Sequence, residues 1–225
     1  MGNSSPVVFS YKGRQLLVTG GKEGLLFLLD TKSMGGDTHR QALYQTPLYA
    51  NAEADIAGRG FWGAYASWED GTGQRWVYAP AWGPMNPTAP PFPKTNGSAP
   101  NGSIMAFQVK DKDGKPVLEP AWMSNDMSVP EPPVIANEVV LAISSGEFTR
   151  QVAPEGRLWT AQERIAKSSG NATLHALDAL TGEELYSSGK TISSFTHLGG
   201  LAISEGRVFV TTHDGTVYAF GVPGQ

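Results

Sequence analysis

Hydrophobic residues along this chain come in short runs, and most runs are followed by a glycine-containing turn and a second run. Four segments have this form: residues 16–19 with 25–30, 76–79 with 103–109, 139–144 with 173–178, and 208–211 with 216–220. The runs have strand length and are rich in Val, Leu, Phe and Tyr, which is typical of β-strands. Gly24 and Gly215 stand where a hairpin turn needs a positive φ angle, which costs glycine little. The pattern therefore predicts four hairpin-like strand pairs.

Further apolar runs flank these pairs. One run precedes each pair, at residues 7–9, 61–68, 133–135 and 200–203, and a short run follows the first three pairs, at residues 42–44, 117–122 and 184–187. Each complete unit thus has four strands, and the units repeat roughly every 50–65 residues, as expected for β-propeller blades. We predict an all-β fold, a single propeller segment of about four four-stranded antiparallel blades over residues 6–50, 57–125, 130–190 and 195–222.

The fourth unit is short. Only Gly-Val-Pro-Gly-Gln follows Phe220, and the run at residues 7–9 already serves as the first strand of the first unit. The pattern therefore predicts an incomplete ring with an open sheet edge, which is a site of association. The partner is either the remaining blades of a larger, seven- or eight-bladed parent propeller or a second copy of the chain.

Composition supports a turn-rich β protein and excludes several partners. The chain has 27 Gly, 16 Pro and 40% hydrophobic residues, and its net charge is −4 without any long basic run, which argues against a nucleic-acid partner. The absence of cysteine excludes disulfides and thiolate metal sites. No apolar run approaches the roughly 20 residues of a transmembrane segment. The polar start carries no signal core, so the chain is either cytoplasmic or a piece of an exported protein.

The third unit contains a more specific motif, Ala-Leu-Asp178-Ala-Leu-Thr181-Gly182-Glu-Glu-Leu-Tyr186. It resembles the repeat of pyrroloquinoline-quinone-type (quinoprotein-like) propellers, alanine-x-aspartate-x-x-threonine-glycine followed by tryptophan, with Tyr186 in place of the tryptophan. Asp178 and Thr181 can hydrogen-bond the turn backbone, and the aromatic residue is expected to pack between blades. The resemblance implies a bacterial, periplasmic or otherwise extracytoplasmic protein.

Three residues are candidates for cofactor binding. Quinoprotein dehydrogenases stack their planar cofactor on a tryptophan, and Trp62 and Trp82 each neighbour a glycine-rich loop. His197 precedes Gly199 and Gly200 at the start of an inner strand, which in propellers lines the central channel. The alternative for each residue is a structural role, with the tryptophans packed between blades. No metal site is predicted, because the other histidines lack metal-ligand spacing relative to His197.

Two long loops, at residues 82–102 and 146–170, separate the second and third strands of units two and three, and the second is predicted to carry a short helix at residues 159–167. Loops on one face are either a binding surface or tolerated decoration. Two other strings are weak: the glycine pattern at residues 58–63 precedes a strand and not a helix, and residues 111–115 read as a hairpin turn better than as a calcium loop.

Two functions remain open. The first is a non-catalytic propeller segment, a scaffold or binding module. The second is the C-terminal half of a quinone-dependent alcohol or sugar dehydrogenase, for which the resemblance implies pyrroloquinoline quinone and calcium as cofactors. The catalytic residues of such an enzyme cannot be assigned here, and the adjacent cysteine pair of many of its members is absent.

Overall fold

A computed structural model describes residues 4–50, 59–147, 153–160, 162–163, 166 and 170–221. Four antiparallel sheets are arranged in a ring like the blades of a four-bladed β-propeller, but among the described residues no cluster of buried side chains joins the fourth sheet to the first. The predicted all-β class is therefore confirmed. We call the sheets blades 1 to 4 in chain order.

The chain begins with a two-residue strand, β1 (Ser4–Ser5), and continues into blade 1. This blade is a meander of β2 (Val7–Tyr11), β3 (Arg14–Gly20), β4 (Leu26–Asp30) and β5 (Tyr44–Gln45). Alternate residues of β3 and β4 are buried, including Leu16, Val18 and Leu28. Because side chains of a strand alternate between its faces, one face of the blade lies in the core.

Blade 2 is the largest sheet. Its inner edge is interrupted into β6 (Gly60–Phe61), β7 (Gly63–Ala64) and β8 (Ala66–Glu69), of which β6 and β8 pair with β9 (Arg75–Trp82). Next to β9 lies β11 (Gly102–Lys112), then β12 (Lys115–Met123), and finally the short β10 (Lys94–Thr95), which pairs parallel with β12. The strand β10 was not predicted.

Blade 3 comprises β13 (Val134–Ala136), β14 (Val139–Ser144), β15 (Thr173–Asp178) and β16 (Glu184–Ser187). Blade 4 comprises β17 (Leu201–Ser204), β18 (Arg207–Thr211) and β19 (Val217–Gly221). Within the described part of the chain, blade 4 has three strands, as the short fourth unit predicts.

One detail at the N-terminus differs from the prediction. The sequence offers no strand before residue 7, but Ser4 and Ser5 form β1, which pairs parallel with Gly63 and Ala64 of β7. The strand is short and polar, so no hydrophobic run signals it. It joins the segment beside blade 2, and thus does not supply the strand that blade 4 lacks.

Three clusters of buried side chains join successive blades. Leu16 and Val18 of blade 1 pack with Val77 and Phe107 of blade 2. The other face of blade 2 packs on blade 3, through a cluster that includes Trp76, Tyr78, Ile104, Trp122, Val140, Ala142 and Leu177. The other face of blade 3 packs on blade 4, through a cluster that includes Ile143, Leu174 and Val210. Each inner blade is thus buried on both faces.

The Asp178 turn forms as the motif predicts. The Oδ1 atom of Asp178 accepts hydrogen bonds from the backbone amides of Leu180 and Thr181, at 3.0 and 2.8 Å, and from the Thr181 hydroxyl. Gly182 follows at a φ of 71°. The expected packing of the aromatic residue is wrong for Tyr186, which is 47% exposed. Blade 4 has no described fourth strand to place beside it, whereas the equivalent Trp122 of blade 2 is covered by blade 3.

Both long loops lie between the second and third strands of their blades, as predicted. In the predicted helix at residues 159–167, the described residues Gln162, Glu163 and Ala166 are helical, and residues 161, 164, 165 and 167 lie outside the described part. Thr160 and Glu163 form the reciprocal hydrogen bonds of a helix N-terminal capping box. No helix among the described residues has the length and apolar character to cross a membrane.

The described glycines of the string at residues 58–63 lie in strands, and residues 111–115 contain a hairpin turn. Gly60 and Gly63 of the glycine string lie in β6 and β7, and Gly58 falls outside the described residues. Residues Asp113 and Gly114, both at positive φ, form the two-residue turn that connects β11 and β12. The hairpin interpretation of residues 111–115 is therefore confirmed.

Candidate functional site

The three residues predicted to bind a cofactor lie together. Trp62 follows β6, Trp82 is the last residue of β9, and His197 lies in the loop that leads into β17. The imidazole of His197 stacks on Trp62, with ring centroids 5.3 Å apart and planes inclined by 24°, and lies 5.8 Å from Trp82. The ring centroids of the two indoles are 4.5 Å apart. The loop before blade 4 therefore rests on residues of blade 2.

Two glutamates complete this cluster. The Nδ1 atom of His197 lies 3.3 Å from Oε1 of Glu131 and 3.2 Å from Oε2 of Glu147. Both carboxylate side chains are only 1% exposed, and the imidazole is 13% exposed. A charge removed from water needs an opposite charge or hydrogen bonds to remain stable. The imidazole of His197 is the ring that lies between these two carboxylates. We call Trp62, Trp82, Glu131, Glu147 and His197 the axial cluster.

The local sequence explains how Glu131 is held. It stands between Pro130 and Pro132, in the segment that leads into β13, and its amide donates to the carbonyl of Ile143. The indole Nε1 of Trp62 donates to the carbonyl of Pro130 at 2.9 Å. The Oε1 atom of Glu131 accepts from the backbone amide of Leu198 at 3.1 Å. These contacts tie the ends of blades 2 and 3 to the loop that carries His197.

Glu147 reaches the cluster from the long loop after β14. It follows Gly146, whose φ of 78° turns the chain. A β-carbon on Gly146 would lie 2.6 Å from the carbonyl oxygen of Asn171, so only glycine fits there. The amide of Glu147 donates to the hydroxyl of Ser145 at 3.2 Å. The first residues of this loop therefore place a carboxylate in the interior of the protein.

Three polar atoms of the cluster have no hydrogen-bond partner among the residues that the structure describes. They are Nε1 of Trp82, Oε2 of Glu131 and Nδ1 of His197, and all three are buried. Although the His197 nitrogen is close to both carboxylates, neither contact is aligned as a hydrogen bond. Buried polar atoms without partners are costly. A donor and an acceptor are therefore available to a water molecule or to a small polar group.

The geometry does not fit a stacked planar quinone. Such a cofactor needs an open indole face, but Trp62 and Trp82 are 6% and 5% exposed. One face of Trp62 is already covered by the imidazole of His197. A fused-ring ligand could stack there only if His197 and its loop moved away. The assignment of these residues to a cofactor stays a prediction, and the structure gives His197 the position next to Trp62 that the cofactor would need.

Sequence reasoning missed Glu131 and Glu147. Neither belongs to a motif, and they meet only because successive blades come together in the ring. A usable signal was the setting of Glu131, an acidic residue between prolines in the otherwise apolar segment 129–135. Residues with a charge in such a setting are rarely buried unless they are paired.

A second histidine is also paired with a carboxylate. Nδ1 of His175 lies 2.6 Å from Oε2 of Glu184, which also accepts from the side-chain amide of Asn125. This pair links adjacent strands of blade 3 with blade 2. Among the residues that the structure describes, no group of three His, Asp or Glu side chains is arranged to hold a metal ion.

Comparisons with known proteins give structural similarities but no family. No protein-family model matches the chain, and a search of curated proteins finds no significant relative. Among solved structures, the computationally designed Ika4 protein is similar, with 12% sequence identity and a TM-score of 0.46 over 99% of this chain and 98% of that one. Nothing about function follows from this similarity.

Proposed function

We propose that this chain is a non-catalytic propeller segment of the pyrroloquinoline-quinone-type repeat, and that it serves as a scaffold or binding module. The observation that supports this proposal is the axial cluster, in which the side chains best suited to chemistry are engaged with one another. His197 contacts two tryptophans and two carboxylates, and it thereby holds the loop before blade 4 against blades 2 and 3.

A catalytic acid or base must come within hydrogen-bond distance of the reacting atom of its substrate. Glu131 and Glu147 are almost fully buried, and His197 lies between them. Contact between these groups and a substrate would require the loop at residues 196–200 to move. The role that this burial favours for the cluster is structural, because the imidazole of His197 lies between two buried carboxylates and stacks on Trp62.

The alternative is the C-terminal half of a quinone-dependent dehydrogenase. The observation that favours it is the meeting of Trp62, Trp82 and His197, the residues chosen as cofactor ligands. In that enzyme class the quinone accepts two electrons and two protons from an alcohol, and the protein positions it. The covered face of Trp62 counts against this alternative. By the family resemblance we also place the protein outside the cytoplasm, which fractionation of cells that express it would test.

Titration of the purified protein with pyrroloquinoline quinone, with and without calcium, separates the two functions. We expect no saturable quenching of tryptophan fluorescence. Saturable, calcium-dependent quenching that is lost in Trp62→Phe but kept in Trp68→Phe would overturn the scaffold proposal. Trp68 is the matched control because it lies on β8, in the same blade, and packs toward blade 3 instead of the axial cluster.

A further inference from the structure

The two end blades of the chain each have one face that no blade covers. Inside the chain, successive blades bury their faces against each other at three seams, between blades 1 and 2, 2 and 3, and 3 and 4. We call the face that a blade turns toward the next blade in the chain its leading face, and the face that it turns toward the preceding blade its trailing face. At every seam, the leading face of one blade packs on the trailing face of the next. Among the described residues, no cluster of buried side chains joins blade 4 with blade 1.

The trailing face of blade 1 is apolar. Cross-strand pairing aligns Val8 with Leu17 and Leu17 with Leu29, and Phe27 lies on the same face opposite Thr19. Val8 is 51% exposed, and the other three apolar side chains are only partly buried. Their neighbours on the opposite face, such as Leu16 and Leu28, are fully buried against blade 2. The same strands therefore have one apolar face that is buried and one that is partly exposed.

The leading face of blade 4 is the counterpart. Pairing aligns Ala202 with Phe209 and Phe209 with Ala219, and Val217 lies on the same face opposite Thr211. Val217 is 64% exposed. The opposite face of this blade, with Val208, Val210 and Tyr218, packs against blade 3. Blade 4, like blade 1, thus has an uncovered face whose apolar side chains occupy the positions that are buried at the seams between the other blades.

We propose that these two faces bind each other between two copies of the chain. The leading face of blade 4 in one copy packs on the trailing face of blade 1 in the other, and a two-fold axis generates the second, identical contact. The result is a closed ring of eight blades in which each new seam repeats the kind of contact already present three times within the chain. A head-to-tail contact that closes in this way leaves neither of these two faces exposed.

A second copy is favoured over closure within one chain because the axial cluster fixes blade 4. His197 and Leu198, which lead into β17, are held by Trp62 of blade 2 and by Glu131 at the start of blade 3. Blade 4 is therefore positioned from the side of blades 2 and 3. A single chain also carries both halves of the missing seam, so no partner of different sequence is needed. This inference does not rest on the scaffold proposal.

Cross-linking tests the contact directly, since the chain has no cysteine of its own. In the double variant Leu17→Cys/Phe209→Cys, treatment with a short bis-maleimide should join two chains on a denaturing gel. Each single-cysteine variant alone should stay unlinked, whereas an equal mixture of the two should give linked pairs. A link between the two cysteines of one chain would overturn the proposal in favour of a ring of four blades. Open ladders of three or more chains, or no link at all, would overturn it as well.

Molar mass by light scattering supplies an independent readout. The wild-type chain should elute with twice its mass of 24.0 kDa. Val217→Glu and Phe209→Glu each place a carboxylate in the seam and should weaken the dimer about tenfold or more. Leu185→Glu is the matched control, because Leu185 is 58% exposed on β16, the outer strand of blade 3. Circular dichroism checks that the variants fold, and Val217→Glu remains informative if Phe209→Glu does not fold. A wild-type chain that stays monomeric at all concentrations would overturn the proposal.

Discussion

The indole of Trp122, on the outer strand of blade 2, lies directly over Gly182 in the turn of blade 3. A β-carbon on Gly182 would lie 2.3 Å from Cε3 of that ring. The Nε1 atom of Trp122 donates to the carbonyl of Ala179 at 2.9 Å, and the hydroxyl of Tyr78 donates to the same carbonyl. One turn of blade 3 and two aromatic side chains of blade 2 thus meet in the seam between these blades, and the glycine is required for both its φ angle and its lack of a side chain.

Gly182→Ala should destabilise the protein strongly. The substitution forces a methyl group into the Trp122 ring and strains a residue at a φ of 71°. We expect a loss of about 2–4 kcal/mol in the free energy of unfolding, measured with urea. The matched control is Gly189→Ala, which has a φ of 53° but no atom within 4 Å of the added carbon. That variant should lose only about 1 kcal/mol. Equal losses in the two variants would show that Trp122 does not press on this position.

His197→Ala should destabilise the axial cluster. It removes the ring that stacks on Trp62 and that lies between the buried carboxylates of Glu131 and Glu147. We expect a loss of about 2–4 kcal/mol in the free energy of unfolding. Adding Glu131→Gln to this variant should recover part of the loss, since one buried charge is removed.

The control for this experiment is His39→Ala. The ring of His39 is exposed and contacts only the carbonyl of Met34 among the contacts described, so the change should stay within about 0.5 kcal/mol. A similarly small effect of His197→Ala would mean that the cluster does not hold the loop, and would weaken the scaffold proposal.

Acid should destabilise the hairpin between β8 and β9 through Asp70. Burial alone would raise the pKa of Asp70, but hydrogen bonds from Thr72, Trp76 and Gln74 outweigh it and lower the pKa to about 2. The unfolded chain has an aspartate pKa of about 3.9. The stabilisation is therefore complete above about pH 5 and is lost as the pH falls from about 4 toward 2.

Asp70→Asn should accordingly lower stability at pH 7 and lose less stability than the wild type between pH 5 and 2. The midpoint of urea unfolding, measured at each pH, would show both effects. Asp113→Asn, at the tip of the neighbouring β11–β12 hairpin, removes an equal charge and serves as the control. The same acid dependence in Asp70→Asn as in the wild type would contradict the assignment.

Alkali should destabilise the core between blades 1 and 2 through Tyr49. Burial, and to a lesser extent the nearby Tyr44, raises the pKa of Tyr49 to about 12. Because the unfolded side chain ionises near pH 10, the folded state binds more protons between about pH 10 and 12, and stability falls as the pH rises through that range. Tyr49→Phe should reduce this fall, whereas Tyr186→Phe, at a half-exposed position, should not. Stability curves from pH 8 to 12 would show the difference.

Most of the fold could be predicted from hydrophobic runs and turn residues. The predicted strands at 139–144, 173–178 and 184–187 agree residue for residue with β14, β15 and β16. These strands are bounded by clear turns, and β14 and β15 are largely buried, which favours the apolar residues that mark them in the sequence. The strands that were missed, β1 and β10, are two residues long and polar, and they form because the ring brings a parallel partner to them. No local pattern encodes that proximity.

The candidate site was predictable only in part. Trp62, Trp82 and His197 could be chosen because large aromatic rings beside glycines stand out in a sequence. Glu131 and Glu147 could not, since their role depends on a contact between residues from blade 3 and the loop before blade 4. Nor could the covered face of Trp62 be foreseen, because stacking is a property of the assembled ring. The sequence thus singled out three of the five residues, while the structure was needed to show that they contact one another.

The two-residue strand β1 has a consequence for how the molecule comes apart. By pairing Ser4 and Ser5 with Gly63 and Ala64, it fastens the start of the chain to the region of blade 2, so that blade 1 is secured at both of its ends. Among the described residues, blade 4 is held only at its start, by the axial cluster, and most of its side chains are exposed, with Val210 and Thr212 as the buried residues of the segment 201–221. Local opening follows the regions with the fewest buried contacts. Amide hydrogen exchange should therefore begin in blade 4 and reach blades 1 and 2 last, which makes the C-terminal quarter of the chain an opening unit of its own.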